Sequence, residues 1–447
     1  MEKEYLILHS ATESNILPII SDCDANCIFC SHRDNVSGIR VVSIPPRTLD
    51  EIEWTLSFLD SRKKITIGES ATSIIEGEPL CHPDFVTILT TVRQKFPLTL
   101  ISITTNGHGL NDKLVCFLKE VEPVEINLSL NSATVEGRAV LMGDDRQLTE
   151  QTLNGVSLLK QYQIIFHGSI VAMPHLVGWA DIAETVRYLA KKGAINIRLF
   201  MPGYSKKASP ELCFNPAVMH RDLARFVEKM TEQLPCPLLL EPPLIIDLVP
   251  VVAGVIRDSE AYKAGLRQGD VLKEVNELVP RSRVEGWNLL QQPGQVHAKI
   301  ARTGCLLDLE WDNKQGGYSG AIMEYDFDMR RLEALQKIIE TCSGKVLLLP
   351  SELGCSVLTA VINLLKLPQG RADIQVVKNH LFGGSIGAAG LLTVADFAQA
   401  VVHYCSCHDR PELIVVPQEA FDCQGYDLTE CPYWQLAEST GIDVKLG

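Results

Sequence analysis

The sequence lacks an apolar run long enough to cross a membrane. Its longest apolar segment, residues 244–256 (LIIDLVPVVAGVI), contains Asp247 and is shorter than the roughly 20 residues that a spanning helix needs. The N-terminal stretch MEKEYLILHS has no basic segment leading into an apolar one, so we expect no signal peptide. These absences predict a cytoplasmic protein with no membrane partner.

The sequence also lacks an excess of positive charge. It has 41 Lys and Arg residues against 55 Asp and Glu residues, a net charge of −14. General nucleic-acid binders use cationic side chains to neutralise phosphates, so we expect no nucleic-acid partner. Hydrophobic residues make up 46% of the 447 positions, which predicts packed cores, and this length suits about two to four domains.

Structural disulfides are not expected in a cytoplasmic protein, although the chain has 14 cysteines. Clustered cysteines are therefore candidate metal ligands. Cys23, Cys27 and Cys30 lie together in SDCDANCIFCSHRD, residues 21–34. Thiolates at this density indicate an iron–sulfur cluster or zinc. For zinc, the candidate fourth ligands are His32, Cys81 and His82.

Strand-like and helix-like segments alternate from residue 15 to about residue 237. The predicted strands are residues 16–21, 64–68, 98–105, 124–130, 164–173 and 195–201. Six β/α units in series predict an α/β fold, a partial (β/α)6 barrel of the TIM type. Functional residues of such barrels lie at the C-terminal ends of the strands. The first four predicted strands lead into the cysteine loop, EGEPL (76–80), TNGHG (105–109) and SLNS (129–132).

The C-x3-C-x2-C spacing, with Phe29 before the last cysteine, resembles the cluster motif of the radical SAM (S-adenosylmethionine) enzymes. The resemblance covers roughly residues 15–240. It implies that Cys23, Cys27 and Cys30 hold three irons of a [4Fe–4S] cluster and that the fourth iron binds S-adenosylmethionine. Reductive cleavage of this cosubstrate would then yield a 5′-deoxyadenosyl radical that abstracts a hydrogen atom.

The same resemblance assigns contacts to S-adenosylmethionine. EGEP is similar to the family's GGEP motif, which places Gly77 and Glu78 at the methionyl ammonium. It implies polar groups of the fourth strand at the ribose, Arg138 at the carboxylate, and residues of the fifth and sixth strands at the adenine. The full set of implied cofactor contacts is Phe29, Gly77, Glu78, Pro79, Asn106, Asn127, Ser129, Asn131, Arg138, Val171, Met173 and Leu199. Asn106 with Gly107 equally suits a tight turn.

A proline-rich segment, residues 235–243, marks a boundary between a barrel domain (1–240) and a small β-rich domain (241–315). Residues 255–282, with AGLRQGD at 264–270, resemble a PDZ domain. The resemblance implies that a peptide or protein C-terminus binds as an added strand, with its carboxylate near residues 248–254. A purely structural module is the alternative.

The third predicted domain, residues 316–447, follows a linker at 312–320 and has an α/β pattern. Its segment NHLFGGSIGAAGLLT (379–393) resembles part of a domain of unknown function found in PDZ-containing radical SAM proteins. The glycines suit either a phosphate-binding loop or a close-packed turn. Four further cysteines are candidate ligands of an auxiliary iron–sulfur cluster: Cys405, Cys407, Cys423 and Cys431.

These features favour a radical SAM enzyme, an oxidoreductase or transferase, with a peptide, protein or small metabolite as substrate. Such an enzyme needs an electron donor such as ferredoxin or flavodoxin. Two alternatives remain from the sequence. One is a non-catalytic iron–sulfur carrier or scaffold that docks a client through the PDZ-like domain, and the other is a zinc-binding regulator.

Overall fold

The structure is a computed structural model that describes residues 2–30, 32–33, 35–39, 41–70, 73–314 and 318–447. The chain divides into two compact units. The first comprises Met1–Arg33, Val41–Pro202 and Phe214–Pro242, and the second comprises Asp34–Arg40, Gly203–Cys213 and Pro243–Gly447. The division near residue 242 lies close to the predicted boundary at 240. The boundary at residue 315 falls within the second unit and stays a prediction, and residues 315–317 of the predicted linker lie outside the described residues.

The first unit is built on a six-stranded parallel sheet in the order β1-β2-β3-β4-β5-β6. Its strands are β1 (Ile65–Ile67), β2 (Ile101–Thr105), β3 (Val124–Ser129), β4 (Ile165–Val171), β5 (Ile197–Phe200) and β6 (Leu238–Glu241). Its helices are α1 (Glu2–Ser14), α2 (Leu49–Leu56), α3 (Phe85–Lys95), α4 (Asp112–Glu120), α5 (Val135–Met142), α6 (Arg146–Gln161), α7 (Pro174–Lys192) and α8 (Pro216–Thr231). This alternation confirms the predicted α/β fold with a parallel sheet, consistent with a partial barrel.

The sheet lacks the predicted first strand and has an additional, unpredicted strand at its other edge. The predicted first strand, residues 16–21, makes only a single parallel bridge, between Ile16 and Thr66. Pro18 has no N–H with which to continue the ladder. The sixth strand is instead Leu238–Glu241, inside the segment interpreted as a domain boundary. Its apolar run pairs with β5 between two prolines that end it on either side.

Side chains alternate across the sheet and give its two faces different chemistry. One face is packed beneath the helices, and its residues are almost fully buried: Ile101, Ile103, Ile126, Leu128, Phe166, Ile170, Ile197 and Leu199. The other face carries mostly polar side chains, several of them half-exposed. This polar face and the loops that follow the strands contain the predicted site residues.

The second unit contains a β-rich part and an α/β part. The β-rich part has β7 (Gly254–Val255), α9 (Glu260–Lys263), β8 (Val271–Val275), α10 (Arg283–Leu290), β9 (Gly294–Arg302), β10 (Cys305–Asn313) and β11 (Ala321–Ile322). Antiparallel pairing gives the sheets β10-β9-β8 and β11-β7 around one apolar core.

The α/β part has a four-stranded parallel sheet in the order β13-β12-β14-β15. Its elements are α11 (Leu332–Thr341), β12 (Val346–Leu348), α12 (Cys355–Leu365), β13 (Ala372–Ile374), α13 (Val394–Cys407), β14 (Leu413–Val416), α14 (Gln435–Thr440) and β15 (Asp443–Leu446). In the described part of the chain, no helix combines the length and the apolar character that crossing a bilayer demands.

Candidate active site

The cysteine loop is fixed along one side by the EGEP turn. The amide of Gly77 donates to the carbonyl of Ile20 at 3.1 Å, and that of Glu78 donates to Asp22 at 2.8 Å. A Cβ on Gly77 would lie 2.0 Å from the carbonyl oxygen of Asp22, so only glycine permits this approach. The two motifs that suggested the site are therefore in direct backbone contact.

Glu78 is buried, and its carboxylate organises the end of β2. It accepts hydrogen bonds from the Thr105 hydroxyl at 2.7 Å, the Asn106 amide at 2.7 Å and the Leu80 amide at 3.1 Å. Burial raises the pKa of Glu78 to about 7, although these hydrogen bonds lower it. The sequence predicted a contact with the methionyl ammonium, and that role stays a prediction for a carboxylate that already has three donors.

Asn106 and His108 hold the loop from a second side, through Asp24. The Asn106 side chain donates to Asp24 Oδ1 at 2.7 Å, and His108 Nδ1 lies 3.3 Å from the same oxygen. The His108 N–H in turn donates to Asn106 Oδ1 at 2.8 Å. Asn106 therefore forms a turn, as one interpretation predicted, and this turn contacts the cysteine loop.

Arg138 is a buried residue of α5 that pairs with Asp144. Its side chain is fully buried at 0% exposure, donates from Nε to Asp144 at 2.7 Å and donates to the carbonyl of Leu130 at 2.8 Å. Its charge is needed to balance Asp144, because an unpaired buried carboxylate is costly. The contact with the methionyl carboxylate stays a prediction, for a guanidinium that is already paired in this position.

His108, Asp24 and Asp144 are site residues that the sequence interpretation missed. His108 Nε2 lies 3.1 Å from Asp144 Oδ2, so one imidazole connects two carboxylates. Burial lowers the pKa of His108, but its contacts with Asp144 and Asp24 outweigh burial and raise it to about 9. The histidine of TNGHG and the aspartate of CDANC were the available signals, but their pairing depends on the fold.

The C-terminal end of α5 supports the loop from a third side. The amides of Asn26 and Ile28 donate to the carbonyls of Met142 and Leu141 at 3.2 and 3.0 Å. These carbonyls lie in the last turn of the helix, where they have no partner within the helix. Cys27 thus lies between two anchored residues.

Cys23, Cys27 and Cys30 are the candidate ligands of an iron–sulfur cluster or a zinc ion. All are free thiols, with Cys23 and Cys30 exposed and Cys27 half-buried. Within the described ranges, no three His, Cys, Asp or Glu side chains converge on a single metal ion. His82, a candidate zinc ligand, is buried with both ring nitrogens engaged, by the Arg47 carbonyl and the Asp84 amide.

The residues that the resemblance assigns to the ribose differ in burial and in hydrogen-bond partners. Asn127 is half-buried on β3, where its amide donates to Glu69, Ser102 and Thr104. Ser129 is half-buried on the same face. Asn131 follows the strand with φ 62° and is 3% exposed, and its amide bonds the Ser129 carbonyl and the Val171 N–H. Asn131 therefore stabilises the strand ends, and its contact with the cofactor stays a prediction.

The residues that the resemblance assigns to the adenine also differ in burial. Val171 is half-buried at the end of β4, on the polar face. Leu199 has 0% exposure and Met173 2%, so both are core residues. The side chains of β5 alternate, and that of Leu199 faces the helices, so its contact with the adenine stays a prediction without support from this geometry. Pro79 is buried in a short 3-10 turn, Pro79–Cys81, and Phe29 is half-buried.

The predicted peptide-carboxylate loop, residues 248–254, has no free edge. On one side the Val252 amide donates to the carbonyl of Asp270 at 2.8 Å, and the Val252 carbonyl accepts from Gly269 at 2.9 Å. On the other side the Ala253 amide donates to Ile322 at 2.9 Å. The amides of Val252 and Ala253 are thus already paired, and the location of the peptide carboxylate stays a prediction.

The glycine loop of the second unit is a close-packed turn. Gly383 and Gly384 both have φ 64°, and a Cβ on Gly384 would lie 2.1 Å from the Tyr204 carbonyl oxygen. Ser385 and Tyr204 exchange two hydrogen bonds, at 3.0 and 2.9 Å. The glycines therefore permit backbone contact with residues 203–213, as the structural interpretation predicted.

The four candidate ligands of an auxiliary cluster lie on different elements of the second unit. Cys405 and Cys407 lie in the last turn of α13, where residues two apart point to different sides of the helix. Cys423 is exposed, and the half-buried Cys431 bonds Gln435. The second cluster stays a prediction with no support from this geometry.

Comparison with known proteins places the site in a recognised superfamily. Residues 17–189 match the model of the Radical SAM superfamily, so this part of the chain is a radical SAM domain. GTP 3′,8-cyclase of Paenarthrobacter nicotinovorans is 27% identical over 173 residues, 37% of this chain and 46% of that protein. GTP 3′,8-cyclase 2 of Pseudomonas aeruginosa is 27% identical over 145 residues, 32% of this chain and 40% of that protein. The chain thus spans less than half the length of these relatives.

Solved structures give weaker similarity. Streptococcus suis SuiB bound to the precursor peptide SuiA superposes with a TM-score of 0.40 and 14% identity, over 51% of this chain and 48% of that one. The same protein bound to S-adenosylmethionine gives a TM-score of 0.39 and 14% identity, over 50% of this chain and 49% of that one.

Proposed function

We propose that this protein is a radical SAM enzyme whose Cys23, Cys27 and Cys30 bind a [4Fe–4S] cluster. When bound, the cluster supplies the electron that reductively cleaves S-adenosylmethionine, and the resulting radical removes a hydrogen atom from the substrate. The observation that carries the proposal is the contact between the cysteine loop and the EGEP turn, where Gly77 and Glu78 bond Ile20 and Asp22. The superfamily match over residues 17–189 supports it.

Residues around the cysteine loop hold it in place for the cluster and the cosubstrate. Asp24, held by Asn106 and His108, fixes the backbone next to Cys23. The α5 carbonyls fix the backbone on either side of Cys27. Because the scaffold is anchored on three sides, the cysteines can present their sulfurs without ordering the loop at the moment of binding. The EGEP turn then offers backbone groups at the loop's edge for the methionyl end of the cosubstrate.

The test is cosubstrate cleavage. The full chain is reconstituted anaerobically with iron and sulfide, reduced with dithionite and incubated with S-adenosylmethionine, and 5′-deoxyadenosine is measured by mass spectrometry. We expect the product from the wild type and none from a Cys23→Ala, Cys27→Ala, Cys30→Ala variant. Cys305→Ala is the matched control, because Cys305 is exposed on β10. A brown, cluster-loaded wild type that forms no cleavage product would favour the carrier alternative.

Two reaction partners follow from the proposal. The cluster requires a low-potential electron donor, such as ferredoxin or flavodoxin, in place of dithionite. GTP is the first substrate to test, since the two similar relatives are GTP 3′,8-cyclases. Consumption of GTP that requires both the cluster and S-adenosylmethionine would identify it as a substrate.

We also propose that the β-rich part, two antiparallel sheets around one apolar core, binds the C-terminus of a peptide or protein, as the resemblance to a PDZ domain implies. Labelled peptides with a free C-terminal carboxylate should bind the full chain more tightly than amidated ones. Equal binding of the two would contradict this site.

A further inference from the structure

The polar face of the six-stranded sheet is unusual for a barrel interior. Barrel interiors are commonly filled by layers of branched apolar side chains. Here, successive inward positions on β3, β4 and β5 include Asn127, Ser129, His167, Ser169 and Arg198, all half-buried or exposed. Such a face is not a packed core, and it leaves hydrogen-bonding groups available to a bound molecule.

The charged side chains near the N-terminal ends of the strands form ion pairs with one another. Lys64 lies 2.8 Å from Glu125, and His167 lies 3.4 Å from the same carboxylate. Two residues further along β3, Asn127 donates to Glu69 at 3.2 Å. These groups are already paired, so they offer a ligand little unpaired charge.

Ser169 and Arg198 are different. They are direct register partners on the neighbouring strands β4 and β5. Within the described ranges, neither the Ser169 hydroxyl nor the Arg198 guanidinium makes a hydrogen bond. The nearest carboxylate to Arg198 is Glu241, and its 3.9 Å separation exceeds hydrogen-bond distance. The Arg198 side chain is 53% exposed, so its donors are accessible.

We propose that Ser169 and Arg198 bind an anionic group of the substrate, a carboxylate or a phosphate. A guanidinium pairs with either anion through two parallel hydrogen bonds, and the adjacent hydroxyl adds a third donor. The proposal rests on the proposed function, because the substrate is that of the radical reaction. It deepens that function by naming a chemical class of substrate.

The alternative source of the anion is the carboxylate of S-adenosylmethionine itself. Ser129, which the resemblance assigns to the ribose, is the register partner of Ser169 on the other side. Arg198 therefore lies two strands, about 10 Å, from the predicted ribose contact. This spacing favours an anionic group that belongs to a second molecule, bound beside the cosubstrate.

The test measures binding rather than turnover. Inorganic phosphate is titrated by calorimetry into the reconstituted full chain as wild type, Arg198→Gln and Ser169→Ala. We expect Arg198→Gln to weaken phosphate binding by about 10- to 100-fold, the loss for a charge-assisted hydrogen bond. Ser169→Ala should weaken it by a few-fold. Arg225→Gln is the matched control, because Arg225 is 71% exposed on α8.

The second arm separates the two sources. S-adenosylmethionine and its decarboxylated analogue are titrated into the same proteins, and Arg198→Gln should leave both affinities unchanged. Loss of affinity for S-adenosylmethionine alone would assign the anion to the cosubstrate and overturn the substrate assignment. A wild type that binds phosphate no better than Arg198→Gln would overturn the site. Failure of the radical reaction would show as absent 5′-deoxyadenosine in the wild type, independently of these affinities.

Discussion

Asn106 and Asp24 are 82 positions apart in the sequence, and the Asn106 side chain donates a 2.7 Å hydrogen bond to the Asp24 carboxylate. This bond ties the end of β2 to the residue that follows Cys23. His108 approaches the same oxygen, at 3.3 Å. The geometry of the cysteine loop therefore depends on a turn that contributes no metal ligand.

Asn106→Ala should reduce cluster incorporation. The substitution removes a hydrogen bond to a charged group, a loss of about 1.5–3 kcal/mol, and frees the residue next to Cys23. We expect the iron content after reconstitution to fall clearly below about four per chain. Iron and sulfide assays measure this, with exposed Asn154→Ala on α6 as the control. Full iron loading of Asn106→Ala would contradict the role given to this bond.

Gly77→Ala should disrupt the site more severely. Its Cβ would lie 2.0 Å from the Asp22 carbonyl oxygen, and backbone atoms cannot move as a flexible side chain can. We expect a lower Tm and loss of the iron–sulfur absorption. Gly387→Ala is a suitable control, since its nearest contact would be an ordinary 3.4 Å. A fully loaded Gly77→Ala protein with an unchanged Tm would show that the EGEP turn is not packed on the loop.

The sequence was sufficient to predict features set by local spacing. The cysteine motif, EGEP and the repeated strand–helix pattern each lie within a short segment, and the structure joins them as expected. Arg138 shows what spacing cannot predict, because its burial depends on contacts with Asp144 and Leu130. Cys405 and Cys407 show the same limit, since their distribution around a helix depends on α13 continuing to Cys407.

Arg138→Met should destabilise the protein without a specific effect on S-adenosylmethionine. Removing one partner of a buried ion pair leaves the other charge uncompensated, at a cost of about 3–5 kcal/mol. We expect a lower urea midpoint and poor cluster retention, because Asp144 also pairs with His108. Folded Arg138→Met with full iron content but weakened S-adenosylmethionine binding would support the carboxylate contact predicted from the sequence.

Replacing Cys405, Cys407, Cys423 and Cys431 together by serine should leave the iron content unchanged. The first two point to different sides of a helix, so they do not form a chelating pair. We expect about four irons per chain in both proteins, as for a single [4Fe–4S] cluster. About eight irons in the wild type, falling to four in the variant, would establish a second cluster.

Glu125 should make the stability of the first unit depend on pH. Burial would raise its pKa, but hydrogen bonds from His167 and Lys64 outweigh burial and lower it to about 2. Because the folded pKa lies below the unfolded value, this stabilisation is present above about pH 4.5 and is lost as the pH falls through 2. A shift of this size corresponds to roughly 3 kcal/mol.

The measurement compares Glu125→Gln with the wild type in urea unfolding between pH 7 and pH 3. The difference in unfolding free energy should be largest at pH 7 and fall to roughly half near pH 3.3, since protonation removes the same charge that the substitution removes. Glu150→Gln is the control, because its exposed pair with Arg146 is 3.7 Å long and should contribute little at any pH. A difference that stays constant or grows on acidification would show that Glu125 is not held as a carboxylate by Lys64 and His167.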